Sequence, residues 1–171
     1  RERYGKHDFG RHTLLARNLL EAGVRFVQVT SYGWDTHGDN FNAHASRVPK
    51  VDQTFAALLQ DLIDRSMMDN VLVVMMAEFG RTPRINGSVG RDHWPNAFSI
   101  LMAGAGLKVG QTVGATDKQA GFVTDRPITP ADMAATILRT LGIDHTKIMH
   151  TPLGRPVRLV DGGNPVTELF A

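Results

Sequence analysis

Three short stretches of the sequence carry side chains that bind metal ions and anions. In chain order these are Asp35, His37 and Asp39 in WDTHGDN, Glu78, Arg81 and Arg84 in EFGRTPR, and Arg91, Asp92 and His93 in GRDHWP. Imidazole and carboxylate together suit a divalent ion such as Zn, Mn or Fe, whereas arginine forms forked hydrogen bonds to planar or tetrahedral oxyanions. The residue types therefore predict a metal site accompanied by anion-binding arginines.

The predicted metal ligands are Asp35, His37, Glu78 and His93, with Asp92 as a further candidate. The arginines predicted to bind an anionic substrate are Arg81, Arg84 and Arg91. The ion is a divalent cation whose identity the sequence leaves open among Zn, Mn, Fe, Mg and Ca. Neighbouring acids and arginines are expected to hydrogen-bond to the ligands and orient them.

Each of these residues also has a structural interpretation. Asp35 would serve to cap a turn, and His93 would pack in a loop beside Trp94 and Pro95. Glu78 directly follows an apolar run and would then be the ion-pair partner of Arg81 or of a nearby arginine. The metal interpretation is favoured because the three stretches are expected to meet at one edge of a sheet.

That expectation comes from the order of the predicted elements. A helical stripe over residues 9–21 ends before Gly23, and the β-branched segment VRFVQVTS, from Val24, predicts a strand. Apolar residues at three- and four-residue steps predict a long helix over 46–67, and NVLVVMMA predicts a buried strand. A strand, helix and strand in this order predict two parallel strands whose carboxyl ends share one edge, where ligands bind in open α/β sheets.

Two later segments complete the predicted fold. The strand FSILMAGAG follows the loop 78–97 without an intervening helix and is expected to be antiparallel. ITPADMAATILRTLGID predicts a helix with Thr129 as N-cap and Pro130 as its first residue, ending before Gly142. The predicted fold class is α/β.

Composition narrows the function classes. The 171 residues fit one domain with ordinary proportions of hydrophobic (42%) and charged (21%) residues, and the sequence shows no membrane span and no signal peptide. A net charge of +2 without a dense basic block argues against a nucleic-acid partner. The absence of cysteine excludes thiolate metal sites, and the absence of an initiating Met suggests a segment of a longer protein.

Six segments together resemble the C-terminal part of the bacterial domain-of-unknown-function 1501 family: EAGVRFVQV, GWDTHGDN, AEFGRTPRING, GRDHWP, LMAGAGLKVGQTVGATD and ITPADMAATILRTLGID. This family is a branch of the alkaline phosphatase and sulfatase superfamily. The resemblance implies a three-layer α/β/α, alkaline-phosphatase-like fold, mostly parallel with one antiparallel strand. Residues 1–171 are then the C-terminal portion of one such domain, and exported, periplasmic members are expected.

The resemblance implies a metal-dependent hydrolase that acts on phosphate or sulfate monoesters of small molecules or glycans. It likens Asp35 and His37 to the first two metal ligands and His93, with Asp92, to a late histidine ligand. Glu78 stands where relatives carry an Asp followed by His, but the next residue here is Phe79, which cannot ligate. One metal position is therefore expected to be weakened or lost.

Two functions follow from these expectations. In the first, the chain is the metal-binding part of a hydrolase whose nucleophile lies in an N-terminal half, no catalytic residue is assigned within residues 1–171, and the segment alone is inactive. In the second, it is a degenerate, non-catalytic module that binds a metal or an anion. The oligomeric state is left open.

Overall fold

A computed structural model describes residues 2–170, which divide into two compact units. The first unit comprises Arg1–Val71 and Glu78–Phe98, and the second comprises Leu72–Ala77 and Ser99–Ala171. Each unit has buried residues of its own, and the three predicted site stretches all belong to the first unit.

Two helices form the framework of the first unit. They are α1, Asp8–Glu21, and α2, Asn40–Asp64, and a short 3-10 helix, Glu2–Tyr4, packs against both. The apolar residues Ala16, Ala57 and Leu62 are buried between these elements. The predicted helix over 9–21 is confirmed, and α2 overlaps the predicted helix over 46–67 but begins six residues earlier.

A small hairpin completes the first unit. Its strands are β2, Gly80–Arg81, and β3, His93–Trp94, which pair antiparallel with Arg81 opposite His93. The hairpin lies within the segment 78–97, for which the sequence predicts a long loop. Its pairing brings the second and third site stretches together.

The second unit contains the remaining strands and one helix. The strands are β1, Leu72–Met75; β4, Leu101–Gly104; β5, Ala115–Thr116; β6, Val123–Asp125; β7, Ile148–His150; and β8, Pro156–Arg158. The helix α3, Pro130–Thr140, begins with a capping box in which Thr129 and Asp132 bond to each other's backbone N–H. The predicted helix start is confirmed. Two further 3-10 turns are Met68–Asn70, in the first unit, and Thr167–Leu169, in the second.

The predicted mostly parallel, three-layer α/β/α sheet is wrong. Within residues 2–170, the strands form four two-stranded sheets, β1 with β4, β2 with β3, β5 with β6 and β7 with β8, and each pair is antiparallel. The antiparallel pairing expected for the SILMAG strand with the VLVVMM strand is confirmed, with Val73 opposite Ala103.

The missing parallel strand explains the error. Residues 24–31 have strand-forming side chains but no regular secondary structure, and Phe26 is 80% exposed. A strand exists only when a neighbouring strand satisfies its backbone N–H and C=O groups, and no described segment pairs with this one. Side-chain propensity predicted an extended segment but could not supply its partner.

Candidate metal centre

The loop before α2 is fastened to the hairpin by backbone hydrogen bonds. The Arg91 N–H donates to the Thr36 carbonyl at 3.0 Å, and the Asp39 N–H donates to the Ser88 carbonyl at 3.1 Å. Thr36 is buried, and its hydroxyl donates to Asn40 Oδ1 at 2.6 Å. These bonds hold the first and third site stretches side by side.

Gly90 permits the closest approach between the two stretches. A Cβ atom at this position would lie 2.0 Å from the carbonyl carbon and oxygen of His37, a distance that no side chain tolerates. Only glycine allows the hairpin backbone to press against His37 in this way. The packing fixes the start of the His37 side chain relative to Asp92 and His93.

Three potential ligand atoms converge in an arrangement we call the ligand triangle: Asp35 Oδ1, His37 Nε2 and His93 Nε2. The two imidazole nitrogens are 3.2 Å apart, and each lies 3.0 Å from the Asp35 oxygen. Within residues 2–170, this is the one group of three such side chains whose ligand atoms are close enough to share an ion. The predicted residues Asp35, His37 and His93 therefore do lie together.

The edges of the ligand triangle match those of a metal coordination shell. Ligands about 2.0–2.2 Å from an ion are roughly 3.3–3.6 Å apart on a tetrahedron and about 2.8–3.1 Å apart at adjacent corners of an octahedron. The observed edges of 3.0–3.2 Å are close to those of an octahedral face and slightly shorter than those of a tetrahedral face. The side chains are also exposed, Asp35 by 64% and His93 by 50%, so the opposite face is open to solvent.

Asp92 sets the protonation of His37. One carboxylate oxygen of Asp92 lies 2.7 Å from His37 Nδ1, a short contact that places the imidazole proton on Nδ1. A neutral His37 then has its lone pair on Nε2, the nitrogen in the ligand triangle. This carboxylate–histidine pairing is the arrangement that orients metal-binding histidines in proteins.

Asn86 holds Asp92 and His37 in this relation. Its side-chain NH₂ donates to Asp92 Oδ1 at 3.1 Å and to the His37 carbonyl at 3.0 Å. Its side-chain oxygen accepts the N–H groups of Ser88 and Gly90, each at 2.9 Å. Asn86 therefore connects the turn of the hairpin to both members of the pair.

Phe79 supports the other histidine. Its ring packs against the His93 imidazole at a centroid distance of 4.3 Å, tilted by 41°. The Arg81 guanidinium lies 5.8 Å from the centre of the Phe79 ring and bonds to Asp35 Oδ1 at 2.7 Å. The residue that replaces a ligating histidine of relatives, according to the resemblance, therefore contacts a member of the ligand triangle.

The electrostatics favour ionised carboxylates. Hydrogen bonds from His93 and Arg81 lower the pKa of Asp35 from 3.8 to about 2. The pKa of Asp92 is also lowered, first by its hydrogen bond with His37 and then by that with Asn86. Both groups are therefore anionic at neutral pH, as metal ligation or its support requires.

The structure places the other predicted residues outside the ligand triangle. Glu78 is exposed and forms no hydrogen bond or ion pair among the described residues, so its assignment as a ligand stays a prediction. Arg91 donates to the carbonyls of Thr82 and Pro83 at 2.6 and 2.8 Å, which braces the hairpin. Arg84 is exposed beside a shallow depression that Asn86 and Asp92 also line, and Asp39 caps α2 with a positive φ of 47°.

Asn86 and Thr82 are the site residues that sequence reasoning missed. The Thr82 hydroxyl accepts the Asp92 N–H at 3.1 Å, and the Thr82 N–H donates to the Asp92 carbonyl at 2.9 Å. The ING string was a visible turn signal in the sequence, since Asn before Gly commonly closes a tight turn. That signal gives the turn but not the contact of the Asn86 amide with Asp92.

The chain belongs to the DUF1501 family of proteins of unknown function, whose family model matches residues 1–170. This agrees with the family resemblance expected from the six sequence segments. Comparisons with curated proteins and with solved structures gave no match. No helix within residues 2–170 combines the length and the apolar character needed to cross a bilayer.

Proposed function

We propose that this domain binds one divalent metal ion through Asp35, His37 and His93 and presents it to the anionic group of a phosphate or sulfate ester. The proposal rests on the ligand triangle, whose three edges of 3.0–3.2 Å suit one face of a coordination shell. Two imidazoles and one carboxylate favour Zn, Mn or Fe over Mg or Ca, which prefer ligand sets made of oxygen alone.

In this proposal, each surrounding residue has a distinct part. Asp92 keeps the proton of His37 on Nδ1, Asn86 positions Asp92, and Phe79 limits the rotation of the His93 ring. Arg81 and the exposed Arg84 provide positive charge beside the open face, where the ester oxygens would bind. When bound, the ion would act as a Lewis acid that polarises the phosphoryl or sulfuryl oxygens.

The reaction class is a metal-dependent hydrolase whose nucleophile the resemblance assigns to a region preceding these residues. Among residues 2–170, no hydroxyl is hydrogen-bonded to the ligand triangle in the way an activated nucleophile would be. The proposal therefore assigns metal binding and anion recognition to this chain and assigns no nucleophile among residues 2–170.

Metal analysis combined with turnover tests the proposal. The protein would be purified without chelator, its metal content measured by plasma mass spectrometry, and aryl phosphate and aryl sulfate hydrolysis assayed on a full-length member carrying the same site. We expect about one ion per chain, and we expect turnover that disappears in the His93→Ala variant. Metal-free protein that takes up neither Zn nor Mn nor Fe would contradict the proposal.

A second candidate function is a non-catalytic metal- or anion-binding module. The observation that favours it is Phe79, which packs on His93 at the position where relatives, by the resemblance, carry another metal ligand. A site with one ion and no second ion can hold an anion without cleaving its ester bond. Stoichiometric metal without turnover of either ester in the full-length protein would support this module.

A further inference from the structure

A cleft of about 490 Å³ lies in the first unit, apart from the ligand triangle. Its walls come from the start of α1, from residues 30–32, and from one face of α2 that carries Arg47 and Lys50. None of the ligand-triangle residues lines it. The volume is within the range of small-molecule pockets, about 300–1,000 Å³.

The cleft has an excess of positive charge. Arg47 and Lys50 are one helical turn apart on α2, and neither forms an ion pair or hydrogen bond within the described part of the chain. The acid in the lining, Asp8, is already paired with Arg11. Like charges at this spacing repel each other along the helix, so an anion between them would relieve the repulsion.

The Arg47 guanidinium lies close to the backbone of Gly33. A Cβ atom at Gly33 would lie 2.7 Å from Arg47 Nε and 2.8 Å from Nη2, and the residue has a φ of +86° that side chains rarely adopt. The positive φ favours glycine at this position. Arg47 has no carboxylate partner within the described residues and so retains its forked donors for a ligand.

Uncharged donors add to the same wall. His7 Nδ1 accepts the Gly10 N–H at 3.1 Å, so the proton of neutral His7 is on Nε2, which is buried and has no hydrogen-bond partner among the described residues. Ser31 Oγ accepts the Trp34 Nε1–H at 2.9 Å, which leaves the serine hydroxyl hydrogen free to donate. Ser31 therefore adds an uncharged donor to the wall that carries the two cations.

We propose that this cleft binds a phosphate or sulfate group of an organic ligand. Arg47 would grip two oxygens in a forked arrangement, Lys50 would contribute a point charge, and the Ser31 hydroxyl would donate to a third oxygen. The apolar side chains of Phe9 and Val51 in the same lining provide contact area for the organic part of the ligand. The site needs no metal ion and does not depend on the proposed function of the ligand triangle.

Titration with inorganic phosphate and inorganic sulfate tests the proposal. The protein would be freed of divalent ions with a chelator, and binding would be followed by amide chemical shifts at constant ionic strength set with sodium chloride. We expect saturable shifts at residues 30–33 and 46–51, and a loss of affinity of about 10-fold or more in Arg47→Ala. Separate titrations with phosphate and with sulfate compare the affinities of the two oxyanions. A titration with acetate tests whether a carboxylate binds at the same residues.

Matched variants separate specific binding from general charge. Arg25→Ala removes one exposed arginine of the same unit that does not line the cleft and should leave the affinity unchanged. Arg47→Lys keeps the charge but loses the fork, so it should still weaken binding by several-fold, and it serves where Arg47→Ala does not fold. His93→Ala should bind phosphate normally in the metal-free state.

Two outcomes would overturn the proposal. One is phosphate affinity in Arg47→Lys and Lys50→Gln equal to that of the unaltered protein. The other is an equal loss in Arg25→Ala, because that result would assign the shifts to the overall charge of the unit. Loss of metal binding in the ligand triangle would contradict the proposed function while leaving this cleft untouched.

Discussion

Two groups of charged side chains in the same unit differ in whether the surrounding protein leaves room for a ligand. In the first, which we call the buried ion cluster, Asp61 accepts the Tyr4 hydroxyl at 2.8 Å and lies 3.5 Å from Arg17 Nε. Tyr4, Arg17 and Asp61 are each less than 10% exposed. In the ligand triangle, Asp35 and the two histidines bond to one another equally closely but remain about half exposed.

The difference shows that proximity of charges does not identify a functional site. In the buried ion cluster, the carboxylate of Asp61 faces donors from α1 and from the 3-10 helix, and no side is left for a ligand. In the ligand triangle, three atoms able to bind a metal ion face one another and leave one side in solvent. The buried cluster is enclosed by the fold, whereas the ligand triangle keeps an open side on which a ligand could bind.

Removing the carboxylate of the buried ion cluster should have the largest effect on stability. Asp61→Ala removes the acceptor of the Tyr4 hydroxyl and one of the two carboxylates that face Arg17, which keeps Glu21, and we expect the free energy of unfolding to fall by about 3 kcal/mol. Urea denaturation followed by circular dichroism measures this change. Asp64→Ala, which removes an exposed partner of Arg3 on the same helix, is the control and should have little effect. An equal free energy of unfolding in the two variants would show that the buried ion cluster does not stabilise the fold more than an exposed ion pair does.

Removing a member of the ligand triangle should have the opposite effects: a large loss of metal affinity and little change in stability. His93→Ala is expected to weaken metal affinity by more than about 100-fold, because loss of a direct ligand exceeds the ~10–100-fold cost of losing a supporting residue. The metal-free variant should unfold at nearly the same urea concentration as the unaltered protein. His12→Ala, an exposed histidine outside the triangle, is the control. Undiminished metal affinity in His93→Ala would remove this residue from the site.

The residues that support His37 should have a smaller effect of the same kind. Asp92→Asn loses the charge that holds the proton on His37 Nδ1, and Asn86→Ala loses the amide that positions Asp92. We expect each substitution to lower metal affinity by about 10–100-fold, measured by competition with a chelating dye. Asn96→Ala alters an exposed asparagine of the same unit and is the matched control. Affinity in both variants equal to the control would show that His37 does not need this support.

The sequence predicted that the members of the ligand triangle lie close together, because their residue types and loops were informative. Asp35, His37 and His93 were predicted from side-chain chemistry and from the idea that their stretches converge, and the structure brings them together. The convergence has a different cause from the predicted one. The hairpin β2–β3 and its bonds to Thr36 join the stretches, not the carboxyl ends of parallel strands.

The strand pairing and the contacts of Asn86 could not be predicted from the sequence, and the reason is physical. Helices satisfy their own backbone, so α1 and α3 followed from periodicity and caps, whereas a strand depends on a partner that may lie anywhere along the chain. VRFVQVTS has strand-forming side chains, but no strand pairs with it within residues 2–170. Asn86 acts through contacts with residues on two stretches, and single-residue patterns do not encode such contacts.

Alkaline pH offers a way to weaken the buried ion cluster without disturbing the ligand triangle. Burial, and then the hydrogen bond to Asp61, raise the pKa of Tyr4 from 10.0 to about 12. The folded state therefore holds the proton more tightly, so the contribution of Tyr4 is intact below pH 10 and is lost as pH rises toward 12. Thermal unfolding between pH 9 and pH 12 should show this decline. Tyr4→Phe has no hydroxyl to titrate, so its unfolding temperature should fall less over the same range; an equal fall would assign the decline to other groups.

Glu78 should give the smallest effect, and it decides how many protein ligands the metal centre has. Its side chain is exposed and does not belong to the group of ligand atoms found within residues 2–170, so we expect Glu78→Gln to change metal affinity by less than about threefold. Asp35→Asn, measured by the same competition titration, shows how much metal affinity is lost when a residue of the ligand triangle is changed. Asp35 is suitable for this comparison because it bonds to both histidines and to Arg81. A loss of about 10-fold or more in Glu78→Gln would instead support its predicted ligation. The coordination face opposite the ligand triangle would then be partly occupied by protein, which would reduce the room for an ester.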